Sequence, residues 1–228
     1  MPTAYYSIGS NCTSNHFNYH LITINGGFCG WAGEYFPNGV YNANGELLRK
    51  TSATEITTYD YDGTSKLAGL TLPNGTRVDY LLDGRGRRMG KKVNGTLVQA
   101  FLYQDGLRPI AELNGALTVV TRFVYAGGAN VPTYMSKGET TYRIVTDQIG
   151  SPRLVIDVLT GQIMQRMDYD EFGFITLDTN PGFQPFGFAG GLYDPLSGLV
   201  HFGAREYDPA IGRWTVKDPG GFSGGGRR

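Results

Sequence analysis

Near its C-terminal end the chain reads GAREYDPAIGRWTVKDPGGFSGG, residues 203–225. Asp208 and Asp218 each precede a proline, and Arg205 and Arg213 stand beside them. Two carboxylates brought together can share a proton. The ionised one activates water, and the protonated one supports a developing oxyanion. A neighbouring arginine can hold one of them charged. Asp-Pro is equally a turn starter, because Asp caps the turn and Pro fixes φ. Arg–Asp pairs also brace purely structural networks. Spacing alone leaves catalysis and turn-building both open.

Other reactive residues carry less. His201 has no Cys or acidic partner at metal spacing, so it reads as a surface or packing histidine. His16 and His20 stand four apart near Cys12, but the stretch lacks helix signals and a fourth ligand. DGRGRR, with Arg85, Arg87 and Arg88, reads as a solvated turn rather than an anion site. No phosphate loop, cofactor motif, metal set or Ser–His–Asp arrangement is read. Asn11, Asn74 and Asn94 open N-x-T sequons, which matter only in a eukaryotic secretory pathway.

The elements that must position these residues are β. The chain has 228 residues, 20 Lys+Arg against 20 Asp+Glu, and 34 Gly, 15 Tyr and 12 Phe. Zero net charge gives no reason to expect nucleic-acid or anionic-membrane binding. Glycine at about twice its usual share, with many aromatics, points to short strands and tight turns. No apolar run reaches the ~18 residues of a spanning helix, so membrane insertion is not expected. The N-terminus has no basic region followed by an apolar core, so it does not read as a Sec signal peptide. Cys12 and Cys29 are too few for a disulfide framework, and whether they pair stays open.

A repeat runs through the chain. Tyrosines at 41, 61, 80, 103 and 125 are spaced by 20, 19, 23 and 22 residues. Each unit opens on an aromatic, reaches an Asn/Asp/Gly turn and continues into period-two alternation, as in TRVDYLLD and TLVQAFLYQ. NG at 44–45, 74–75, 94–95 and 114–115, and DG at 62–63, 83–84 and 105–106, predict two-residue hairpin turns with positive φ at both positions. KKVNGTLVQAFLY and RPIAELNGALTVVTRFVY each predict a hairpin. The fold class is all-β: an antiparallel meander of hairpins, with its tyrosines as packing residues on one face.

These units resemble YD repeats. TDQIGSPRLVID (146–157), MDYDEFGF (167–174) and PFGFAGGLYDPLSGLVHFGAREYDPAIGRWTVKDPGGF (185–222) resemble the C-terminal core of RHS-repeat proteins. The resemblance implies a β-sheet ribbon curled into part of a hollow shell around a C-terminal toxin or effector. It divides the chain into an unassigned segment 1–40, a repeat sheet 41–184 and a core motif 185–228. It also implies an intramolecular aspartic protease. Asp208 and Asp218 would form its dyad, Arg205 and Arg213 would be its basic residues, and the cut would fall near Phe222 and Ser223. Glu206 stands where relatives carry a second aromatic, a departure that bears on local packing.

The implied partners are the enclosed effector and the rest of the shell, delivered by a specialised bacterial secretion system. About six units build only part of a wall, as a fragment, cleaved piece or gene remnant would. Its open edges predict association with itself or a partner. The alternative reading is a cell-surface carbohydrate-binding or adhesion module that presents the tyrosines as sugar platforms.

Overall fold

The computed structural model describes residues 22–24, 28–30, 39–52, 55–126 and 130–218, the first two stretches as backbone. Cys12, His16, His20, Phe222 and Ser223 lie outside them, so the metal, disulfide and cleavage-point expectations do too. Strands β1 (Ile22–Ile24) and β2 (Phe28–Gly30) pair antiparallel.

Fourteen strands then follow one another into a single antiparallel sheet in strict chain order. They are β3 (Gly39–Tyr41), β4 (Leu47–Ser52), β5 (Glu55–Tyr61), β6 (Leu67–Thr71), β7 (Arg77–Leu82), β8 (Arg88–Val93) and β9 (Thr96–Tyr103). The series continues with β10 (Pro109–Asn114), β11 (Val119–Val124), β12 (Tyr134–Lys137), β13 (Thr140–Thr146), β14 (Pro152–Asp157), β15 (Ile163–Tyr169) and β16 (Ile175–Asp178). A second sheet pairs β17 (Leu192–Asp194), β18 (Leu199–Phe202), β19 (Arg205–Asp208) and β20 (Arg213–Trp214). One 3-10 turn, Phe188–Gly190, lies between the sheets. The all-β meander is as the sequence predicts, and the large sheet remains unclosed, with β3 and β16 at its ends.

Turn chemistry explains why neighbours in sequence are neighbours in space. In one turn after another, the first residue's amide donates to the carbonyl four residues on: Asn42 to Glu46, Asp62 to Lys66, Asp83 to Arg87 and Asp170 to Phe174. The same side chains accept from two amides inside the loop, as Asp62 Oδ1 does from Thr64 and Lys66, and Asp170 Oδ1 from Phe172 and Phe174. Such Asx caps imitate a backbone turn. The left-handed residue comes fourth: Gly45, Ser65, Gly86 and Gly173 have φ of 79°, 62°, 84° and 86°.

The expected turn type therefore needs correction. The DG pairs at 62–63 and 83–84 supply the Asx cap, while positive φ falls elsewhere in the loop. Among the described residues, only Asn94-Gly95 joins two strands as a pair with positive φ at both positions, 50° and 81°. A side-chain oxygen that holds a five-residue loop removes the need for the tighter turn.

Period-two alternation buries one face. On β7, Val78 and Tyr80 are buried while Leu81 is exposed. On β10, Ala111 and Leu113 are buried while Ile110 is exposed. Two apolar clusters form on this face, one around Phe101, Phe123, Met135 and Ile144, the other around Leu47, Leu70, Val78 and Tyr80. Each also contains residues of the terminal segment: Phe186 and Leu192 in the first, Leu199 in the second. Complete burial of such side chains contributes roughly 1.5–3 kcal/mol apiece, so the terminal segment is part of both cores.

Four of the five anchor tyrosines sit at or just beyond a strand end. Tyr103 and Tyr125 donate their hydroxyls to the carbonyls of Arg88 and Pro109, at 2.9 and 2.8 Å. The exception is Tyr80, which lies inside β7 and is 5% exposed. Leu82 takes the strand-end place, two residues on and so on the same face.

Candidate functional site

The terminal segment uses one local device twice. Tyr193-Asp194-Pro195 ends β17, and Tyr207-Asp208-Pro209 ends β19. In each, the aspartate Oδ1 accepts the amide two residues on, from Leu196 and Ala210, both at 3.0 Å. Proline in between has no N–H to satisfy. The turn-starting role read from the sequence at Asp208 is thus present there, and Asp194 repeats it.

Each carboxylate also meets a lysine from the large sheet. Lys91 Nζ on β8 lies 2.9 Å from Asp194 Oδ1. Lys50 Nζ on β4 lies 2.6 Å from Asp208 Oδ2. Between these contacts, Arg88 Nη2 lies 2.9 Å from Glu206 Oε1, whose other neighbour is His201 Nδ1 at 2.6 Å. Tyr80 donates its hydroxyl to Asp194 Oδ2 at 2.6 Å, and the Arg88 guanidinium sits 3.9 Å over the Tyr80 ring. Ion pairs thus run from two strands of the wall to two strands of the terminal sheet.

Burial works against ionising Glu206 and Asp194. For Glu206, the Arg88 and His201 charges and their hydrogen bonds outweigh it, holding the carboxyl below its ordinary value. Lys91 and Arg88 do the same for Asp194, helped by the Tyr80 hydroxyl. Burial pushes Tyr80 well above the ordinary phenol value, so its hydroxyl stays a donor.

The sequence-predicted residues divide. The Asp208 side chain is 4% exposed and bound to Lys50. Arg213, on β20, is its cross-strand partner in register. The Asp218 side chain is 55% exposed, and Arg205 Nη2 reaches it at 3.1 Å. Arg205 also covers the Trp214 ring at 4.0 Å. Different cations thus engage the two carboxylates. Arg205 stands beside one of them, and the ion pair to the other comes from Lys50, which no local motif announces.

One further reading needs revision and another is narrowed. Arg88 is not in a solvated turn: it is the first residue of β8 and 2% exposed, because alternation turns it onto the covered face. Arg87, beside it, does brace the turn through Asp83. His201 is buried and takes an acidic partner five residues on, since β18 and β19 are a hairpin that sets it opposite Glu206. That register also accounts for the acidic residue at 206: it meets the guanidinium of Arg88. Asp194 was the overlooked half of the pattern, although the repeated YDP was visible.

Known proteins resemble this chain over most of its described length. Mouse Teneurin-4 is 39% identical over 150 residues, which is 64% of this chain and 5% of that protein. Chicken Teneurin-1 is 34% identical over 181 residues, 77% of this chain and 7% of that protein. This chain therefore spans a small fraction of those relatives. Among solved structures, the TcdB2-TccC3-Cdc42 crystal structure superposes with a TM-score of 0.61 at 23% identity, covering 81% of this chain and 10% of that one. The Photorhabdus luminescens Tc holotoxin pore carrying TccC3-D651A gives 0.56 at 22% identity, over 79% of this chain and 9% of that one. At that identity the structural likeness speaks for the fold. The teneurin YD-shell family matches residues 38–224, and this chain, a YD-repeat β-sheet wall whose end folds onto its own covered face, belongs to that family.

Proposed function

We propose that the chain is the closing segment of an RHS polymorphic-toxin shell, which encloses a C-terminal effector and releases it by intramolecular aspartic-type self-cleavage near residue 222. The carrying observation is the seat of the terminal sheet. Lys50, Arg88 and Lys91 grip Asp208, Glu206 and Asp194 on the face where both apolar clusters lie. This brings the chain's last described residues to the wall.

Asp208, held beside an ammonium, suits the ionised role: it takes a proton from water as the oxygen attacks the peptide carbonyl. Asp218, once away from Arg205, takes the protonated role and donates to the carbonyl oxygen. Collapse breaks the C–N bond, and the amine leaves with a proton. The reading requires Asp218 to move from Arg205 towards Asp208 when the substrate segment enters. Arg205 and Arg213 then tune the charge of the pair. The open edges β3 and β16 would be continued by the rest of the shell or by a second copy, and a specialised secretion system would deliver the whole.

The adhesion reading draws less support. Tyr59, Tyr80 and Tyr142 are buried in the packed face, and Tyr41, Tyr61, Tyr103 and Tyr125 pack against it, so they are poor sugar platforms.

Mass spectrometry of the chain extended by its natural downstream sequence tests the proposal. We expect a cut near Phe222 that is lost in Asp208→Asn and in Asp218→Asn. Cleavage persisting in both variants refutes the roles assigned.

A further inference from the structure

One hairpin of the wall, β3–β4, touches both stretches that carry the proposed aspartate pair. From β4, Lys50 Nζ lies 2.6 Å from Asp208 Oδ2. Three residues earlier, the Leu47 amide donates to the Thr215 carbonyl at 3.0 Å. In the turn before β4, Lys217 packs so closely on Gly45 that a Cβ there would lie 2.6 Å from Lys217 Cε. Thr215 and Lys217 lead directly into Asp218. The same hairpin therefore seats Asp208 and aligns the segment that ends in Asp218.

The other groups around Asp208 do not supply this charge. Its Oδ1 is occupied by the Ala210 amide. On β5, Tyr59 lies diagonal to Lys50 on the covered face, because Lys50 pairs with Thr57. Burial first, and then the Asp208 charge, push the Tyr59 phenol above its ordinary value, so it stays neutral. Burial first, then Asp170 and Asp208, do the same to Tyr207. Glu206, on the same face of β19, is taken up by Arg88 and His201. Arg213 is the cross-strand partner on β20, and the ion pair itself is made by Lys50. Without that ammonium, burial would favour the protonated form of the Asp208 carboxyl.

We infer that Lys50, 158 residues upstream, is a positioning residue of the self-cleavage: its ammonium keeps Asp208 as the member of the pair that takes the proton from water. This rests on the self-cleavage reading and adds that the wall supplies part of the site. The step itself is unchanged. Water adds to the carbonyl carbon, and the C–N bond breaks to a carboxyl group and an amine.

The rate of cutting against pH tests it, in the chain extended by its natural downstream sequence. Each protein is diluted from urea into buffers from about pH 5 to 8, and the product is followed by mass spectrometry. In Lys50→Met the acid limb of the profile should move to higher pH by about one unit or more. At a pH on that limb the cut should slow about tenfold. Lys50→Gln keeps a donor to Asp208 without the charge and should move the limb likewise. Lys50→Arg keeps the charge and should hold the wild-type profile. A lysine that only braces the fold would slow cutting equally at every pH and move no limb. If Lys50→Met fails to fold, Lys50→Gln decides. An unmoved limb in folded Lys50→Gln, or Lys50→Arg as impaired as Lys50→Gln, overturns the inference and leaves the self-cleavage reading standing. A wild-type chain that makes no cut overturns both.

Discussion

The ammonium of Lys50 lies 2.6 Å from Oδ2 of Asp208, although 158 residues separate the two in the chain. The same relation joins Lys91 to Asp194 across 103 residues. A turn-capping aspartate of the terminal sheet thereby doubles as the fastening point of that sheet on the wall.

The Lys91–Asp194 contact should behave as a buried pair. Their side chains are 10% and 1% exposed. Lys91→Met leaves a carboxylate buried beside a phenol, and we expect a loss of about 3–5 kcal/mol in urea unfolding. The double variant Lys91→Met/Asp194→Leu should recover most of that, because Tyr80 keeps Ser197 Oγ at 3.0 Å. A double variant as unstable as the single would contradict the pairing.

Acid should loosen the terminal sheet. Glu206 and Asp194 both titrate below their ordinary values when folded. Their contribution is complete above the unfolded carboxylate value of about 4 and is lost as pH falls through the lower folded values. The urea midpoint should hold between pH 7 and about 5, then drop below about 4. In Glu206→Gln the part of that drop due to this residue should vanish.

Stability separates the two proposed catalytic aspartates. Asp218 is half-exposed, so Asp218→Asn should change stability by no more than about 0.5–1 kcal/mol. Asp208→Asn removes the buried carboxylate that Lys50 meets at 2.6 Å and should cost about 1–3 kcal/mol. Cleavage lost in a fully stable Asp218→Asn protein would point to chemistry and not to unfolding.

Two glycines should fail for different reasons. Gly95 has φ of 81° with open space around its Cβ position, so Gly95→Ala should cost about 1–2 kcal/mol from backbone strain alone. Gly191→Ala meets Val200 and Phe202 instead, and overpacking should cost about 1–3 kcal/mol. Swapping Val200 for Ala should relieve the second and leave the first unchanged, as measured by thermal unfolding.

What the sequence determined by itself is local. Period-two alternation and the Asn/Asp/Gly spacing specify hairpins, because both are read within a few residues along the chain, and hairpins in series can only make a meander. The YDP turn at Asp208 was legible for the same reason. The exact turn type was not, since Asx side chains compete with the two-residue turn, and Leu82 rather than Tyr80 closes its strand. The tertiary structure alone decided who meets Asp208, Glu206 and Asp194. Their partners Lys50, Arg88 and Lys91 lie more than a hundred residues upstream and carry no local mark. Only the docking of one sheet on another brings those charges out of water and into contact, and there each charge requires its counterpart.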